Sequence, residues 1–306
     1  MLPIALSLLP VFALIALGAA VGRTSFLSAE GWQAVERVNY WLLFPALLFE
    51  SIVSADITGG EAGKLALAVV AADLVIALSV LAARPVLRLS GPAFSSVFQG
   101  SVRWNGYVGL GVAASLLGDE GLGLAAVCAA VLVPLNNLLS VYVLSRYAGA
   151  APASIGQTLR SIALNPLILA TVAGGVLLVA GLKPPAPALE TLDLLGQATI
   201  ALGLLCVGAA MDFGRFKGAG VTVLSTSAIK LLLAPAVVYA ACLLLGLSGA
   251  PLVVAVLCMA APLATSSYIL ARQLGGDATL AANLVTATTL ISLVTLPIVV
   301  ALVSAL

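Results

Sequence analysis

Few residues in this chain are equipped for chemistry, and most of those sit where polar groups are least welcome. Asp73 lies inside the apolar run AVVAADLVIAL, Lys230 inside AIKLLLAPAVVY, and Arg103 with Asn105 inside GSVRWNGYVGLG. Pro262, Thr265 and Ser266 interrupt VVAVLCMAAPLATSSYILARQ. Histidine is absent, which removes the usual general base, histidine metal sites and the Ser-His dyad. Cys128, Cys206, Cys242 and Cys258 sit in apolar segments with no close pair, so they read as small buried hydrophobes, with no disulfide framework and no metal. The Gly-Asp pair in LLGDEG falls in a loop between apolar runs and makes a weak aspartyl-protease motif. Neither an enzyme nor a cofactor is expected. The chemistry these residues suit is non-covalent. An arginine holds a carboxylate through paired hydrogen bonds, an intramembrane carboxylate links to an ion or a proton, and loosened backbone binds small ions.

The elements that must position them are membrane-spanning helices. Hydrophobic residues make up 62% of the chain and charged ones 8%, with a mean hydropathy of +1.21. Apolar runs of about 20 residues, enough to cross a bilayer about 30 Å thick, fill nearly the whole sequence. Ten are predicted, at about 2–22, 33–53, 64–83, 94–117, 121–145, 161–181, 193–211, 221–246, 251–271 and 279–304. The start MLPIALSLLP lacks the basic residues and cleavage site of a signal peptide. A net charge of +1 gives no sign of a nucleic-acid partner. Arg23, Arg37, Arg84, Arg88, Arg146, Arg160, Arg215, Lys217 and Arg272 fall on the side reached after odd-numbered spans, against Lys64 and Lys183 on the other. That imbalance puts both termini outside the cytoplasm.

The chain also looks written twice. Displaced by about 157 residues, Asp73 aligns with Lys230 and Asn105 with Pro262, and LGDEGLGLAA faces LGGDATLAA. An odd number of spans per half inverts one half against the other, the arrangement of many secondary transporters. The expected fold is therefore all-α, a five-plus-five inverted repeat divided at 1–150 and 151–306. Its fourth and ninth spans are broken near the midplane, where the breaks meet. Proline at 262 removes a ladder donor, while glycines and Asn105 loosen the counterpart. Helix amino ends there suit an anion and freed carbonyls suit a cation.

These stretches carry a resemblance. RWNGYVGLG and AAPLATSSYILARQLGGD are similar to the two crossovers of the auxin efflux carrier family, LNPLILA to its Asn-Pro motif, VAADL to its third-span acidic stretch, and LLFPALLFESI to its second-span proline region. The similarity runs over essentially the whole chain. Trp104 stands where plant members have proline, Ala77 where they have lysine, and their long loop between the fifth and sixth spans is missing. The resemblance implies a bacterial inner-membrane carrier working as a homodimer, in which spans 1, 2, 6 and 7 form a scaffold and spans 3–5 and 8–10 an elevator-like moving unit. Its expected substrate is a small organic anion: a carboxylate, with dicarboxylates and auxin-like acids as the options. The expected substrate-binding residues are Arg103, Trp104, Asn105, Gly106, Pro262, Thr265 and Ser266. Asp73, Lys230, Asn136, Asn137 and Asn283 are the candidates for coupling to H⁺ or Na⁺. A Na⁺-coupled bile-acid-type symporter or Na⁺/H⁺ antiporter shares the architecture, and a non-transporting receptor is the reading of a different class.

Overall fold

The computed structural model describes residues 2–54, 60–149, 156, 160, 163–211 and 220–304, with the side chains of 2–5 and 304 left aside. Arg215, Lys217 and the 150/151 division lie outside the described residues. Every regular element among the described residues is helical. In chain order they are α1 (Leu2–Val21), α2 (29–53), α3 (Glu61–Leu87), α4 (Gly91–Val102), α5 (106–117), α6 (119–147), α7 (Pro166–Val179), α8 (Ala186–Ala209), α9 (Val221–Leu244), α10 (Gly249–Ala260), α11 (Ser266–Gln273) and α12 (Ala278–Ser304). Five helical stretches are long and apolar enough to cross a membrane: α3, Gly91–Tyr147, α8, α9 and Ala278–Val303; shorter apolar helices accompany them. This is a multi-pass membrane protein.

Between α5 and α6 the sequence predicts a loop at LLGDEG, but the structure has a one-residue hinge. Gly118 alone leaves the helical region (φ 59°, ψ −141°), a conformation open to a residue without a Cβ. Two helices also change their winding beside a proline. In α2 the stretch Asn39–Leu43 is a π-turn just before Pro45, and in α9 the stretch Ile229–Leu233 is one just before Pro235. The last N–H ahead of each proline, on Phe44 or Ala234, reaches back five residues instead of four. The wider turn accommodates the pyrrolidine ring without ending the helix.

Two sets of helices pack mainly within themselves. Helix α1 runs against α8, and α2 against both α7 and α8. Gly18 meets the backbone of Leu205 and Gly208 the backbone of Ile15, so a methyl group at either glycine would strike main chain. Small residues bring membrane helices this close because lipid offers no hydrophobic drive for their association. The second set joins α3, α4, α6, α9, α10 and α12, with α11 against α12. Between the sets, the Tyr107 ring of α5 lies against Gly203 of α8 and 5.0 Å from the Phe44 ring of α2.

Candidate functional site

Helices α4 and α10 are built alike. Each has 12 residues and starts with glycine, with a proline in its first turn (Gly91–Pro92, Gly249–Ala250–Pro251). Twelve residues span only about 18 Å, too short to cross a bilayer. Each ends in extended backbone, at Arg103 (ψ 143°) and Ala261 (ψ 144°), and a second helix begins a few residues on. The two breaks are tied together, for the Asn105 N–H donates to the Pro262 carbonyl at 2.8 Å. Asn105 also caps α5 through its Oδ1, which accepts from Val108 N–H at 3.3 Å. At the other break, Leu263 N–H donates to Thr288 Oγ1 at 3.1 Å. The backbone freed by unwinding therefore finds partners inside the protein, as a membrane interior requires.

A cavity of about 840 Å³ opens at this junction. Arg103, Trp104, Asn105, Gly106, Thr265 and Ser266 all line it, and so do Asn136 and Asn137. The amino ends of α5 and α11 both border it, which places helix-terminal N–H groups at its wall. Arg103 is only 8% exposed; it donates through Nη1 to Asn137 Oδ1 and through Nη2 to Ser266 Oγ, both at 2.9 Å. That leaves its Nε buried without an acceptor among the described residues, together with Asn105 Nδ2 and the Asn136 amide. The Trp104 ring fills the space over Gly109, which has no side chain to hinder it. Pro262 is buried and supplies its carbonyl to Asn105, behind the cavity wall.

Sequence reasoning missed one whole wall of this cavity. Gln33, Glu36, Arg37, Tyr40, Trp41 and Phe44 of α2 all line it. Their spacing of three and four is that of a single helix face, and a polar stripe of this kind in a membrane span is the signal that would have found them. Glu36, which has no role in the sequence reading, accepts from Thr265 Oγ1 at 3.4 Å and so joins α2 to the second break. Tyr40 accepts from Asn165, the residue that caps α7. Arg37, Arg103 and Arg272 outnumber Glu36 among the charged residues of the lining.

Asp73 and Lys230 stand apart from the cavity, on α3 and on the π-turn of α9. These helices pack along each other, and both side chains are fully buried. Their charges interact, yet among the described residues neither Asp73 oxygen nor the Lys230 Nζ has a hydrogen-bond partner. Asn283, on α12, leaves its Oδ1 buried and unpartnered away from the cavity. Gln99, one turn before Arg103 and fully buried, has no partner for either amide atom among the described residues. Two cysteines far apart in sequence come together, fully buried where α6 packs on α10: Cys128 and Cys258.

Helices broken beneath a polar, arginine-rich cavity in an otherwise apolar bundle are the build of a membrane transporter. Residues 150–300 match the family model described as membrane transport protein. The chain is 28% identical over 300 residues to a protein of Rhizobium meliloti (strain 1021) named "Putative malonate transporter", covering 94% of this chain and 92% of that one. Over its second half the chain is thus similar to that membrane transport family, of the auxin efflux carrier type, and over nearly its whole length to a protein named as a transporter.

Proposed function

We propose that this protein is a secondary active transporter of small organic anions, with short dicarboxylates as its substrates. The observation that carries the reading is the set of unpartnered donors at the crossing, Arg103 Nε and Asn105 Nδ2, in a cavity whose wall holds three arginines and one glutamate. Buried donors without acceptors are costly, and a carboxylate supplies the acceptors they lack. The relative's name, which specifies malonate, agrees with this choice.

On this reading the chain forms ten spans in a five-plus-five inverted repeat, 1–150 and 151–306, with α4–α5 and α10–α11 as its broken spans. Helices α1, α2, α7 and α8 are the scaffold and the rest the moving unit, which shifts in the manner of an elevator. The separate packing of the two sets supports that division. The basic loops argue for both termini lying outside the cytoplasm of a bacterial inner membrane. Arg37 and Arg272 in the lining then turn the cavity towards the cytoplasm. Asp73, with Lys230, couples transport to a proton or ion, and the carrier works as a homodimer.

The test is uptake of radiolabelled malonate by the purified protein in liposomes, under imposed pH and Na⁺ gradients, with acetate and a neutral diamide as comparisons. Malonate should enter faster than either, and Arg103→Ala should abolish its uptake. Absence of flux for every carboxylate, with the protein correctly inserted, would sink the reading.

A further inference from the structure

The polarity of one hydrogen bond in the cavity wall is fixed by its neighbours. Asn165 Oδ1 accepts from Leu167 N–H at 2.9 Å and from Ile168 N–H at 3.4 Å. Turning the amide over would set its hydrogens against two backbone N–H groups, so this orientation is the one the network permits. The Nδ2 is therefore the donor in its 2.9 Å bond to Tyr40 Oη. A phenol has one proton to give, and here the oxygen is engaged as acceptor, so the proton remains for another group. No described residue accepts it. Tyr40 lines the same cavity as the Arg103 guanidinium. A donor beside a cation has no use for a second cation and suits an anion.

We infer that Tyr40 is a substrate-binding residue, donating its phenol proton to the bound carboxylate, and that Asn165 is a positioning residue that keeps that proton pointed away from itself. The inference rests on the reading of the cavity as an organic-anion site. It adds a contact from α2, opposite the breaks, so the anion is held from two sides: by Arg103 and Asn105 on one and by Tyr40 on the other. It also gives the Asn-Pro stretch at the head of α7 a part in recognition besides capping its helix.

Malonate binding to the full-length protein in nanodiscs, followed by calorimetry, tests this with three variants. Tyr40→Phe removes only the proton-bearing oxygen and should weaken binding by about tenfold or more, as for a hydrogen bond to a charged acceptor. Asn165→Asp can still accept from both backbone N–H groups, but its second oxygen now accepts from Tyr40 and withdraws the proton. It should weaken binding as Tyr40→Phe does. The double variant should bind no worse than Tyr40→Phe alone, because both act through the same proton. Binding by Tyr40→Phe equal to wild type overturns the inference while leaving the anion reading intact. Losses that multiply in the double variant also overturn it, since they show the introduced carboxylate acting on the anion directly. If wild type binds neither malonate nor any other carboxylate, the anion reading falls and takes this inference with it.

Discussion

At the crossover, buried polar groups have company: Arg103 engages Asn137 and Ser266, Asn105 caps a helix and reaches Pro262, and a cavity lies alongside. At the α3–α9 contact the two charged side chains feel each other's field but have no hydrogen-bond partner among the described residues. Asp73 and Lys230 are fully buried, unpartnered by hydrogen bonds and away from the cavity. A group beside a cavity that loses its partner has water to turn to. A group in a closed helix contact does not, and its charge stays uncompensated. On the proposed function the crossover suits exchange with a ligand, whereas in the pair a change to one member is felt by the other.

Breaking the pair should therefore do the most damage to stability. Lys230→Met leaves the Asp73 charge buried alone and should destabilise the protein by about 3–5 kcal/mol. Adding Asp73→Asn should restore most of that loss, as read by thermal unfolding in detergent. A Lys230→Met protein as stable as wild type would erase the contrast. Next in size, Arg103→Ala should unfold close to the wild-type temperature but lose about 1.5–3 kcal/mol of malonate binding for each charged hydrogen bond it made to the ligand. A large fall in melting temperature with unchanged affinity would make Arg103 an anchor instead. Asn105→Ala removes both a cap and a donor, so it should sit between the regions: about 0.5–2 kcal/mol of stability and about 0.5–1.5 kcal/mol of binding. The smallest effect on binding belongs to Asp73→Asn. Its affinity should stay near wild type while the response of flux to imposed pH and Na⁺ gradients flattens. Unchanged gradient responses would assign Asp73 to structure.

Much of the architecture was legible because it is written locally. Runs of apolar residues announce helices, and Pro262, with its small and hydroxylated neighbours, marks a break without reference to anything distant. The partner of that break was legible too, since displacing the sequence by about 157 residues sets Asn105 opposite Pro262, and the two are hydrogen-bonded. The α2 wall was harder. Glu36 reads as a residue near the end of an ordinary span and Tyr40 draws no reading at all, and only packing against the breaks gives them a cavity to face. The contact of Cys128 with Cys258 and the hinge at Gly118 were missed for related reasons. One depends on how α6 meets α10, and the other on a single backbone conformation hidden in a stretch that otherwise resembles a loop.

The bond from Asn105 N–H to Pro262 O also sets a timetable for manufacture. Its acceptor is made 157 residues after its donor, roughly 10–30 s later at about 5–20 residues per second. Throughout that interval the first break sits in or beside the bilayer with an amide that has no acceptor of its own. The first half should therefore behave as unfinished goods. Expressed alone to Tyr147 it should be degraded quickly in a pulse-chase experiment, and supplying residues 148–306 as a separate chain should lengthen its life.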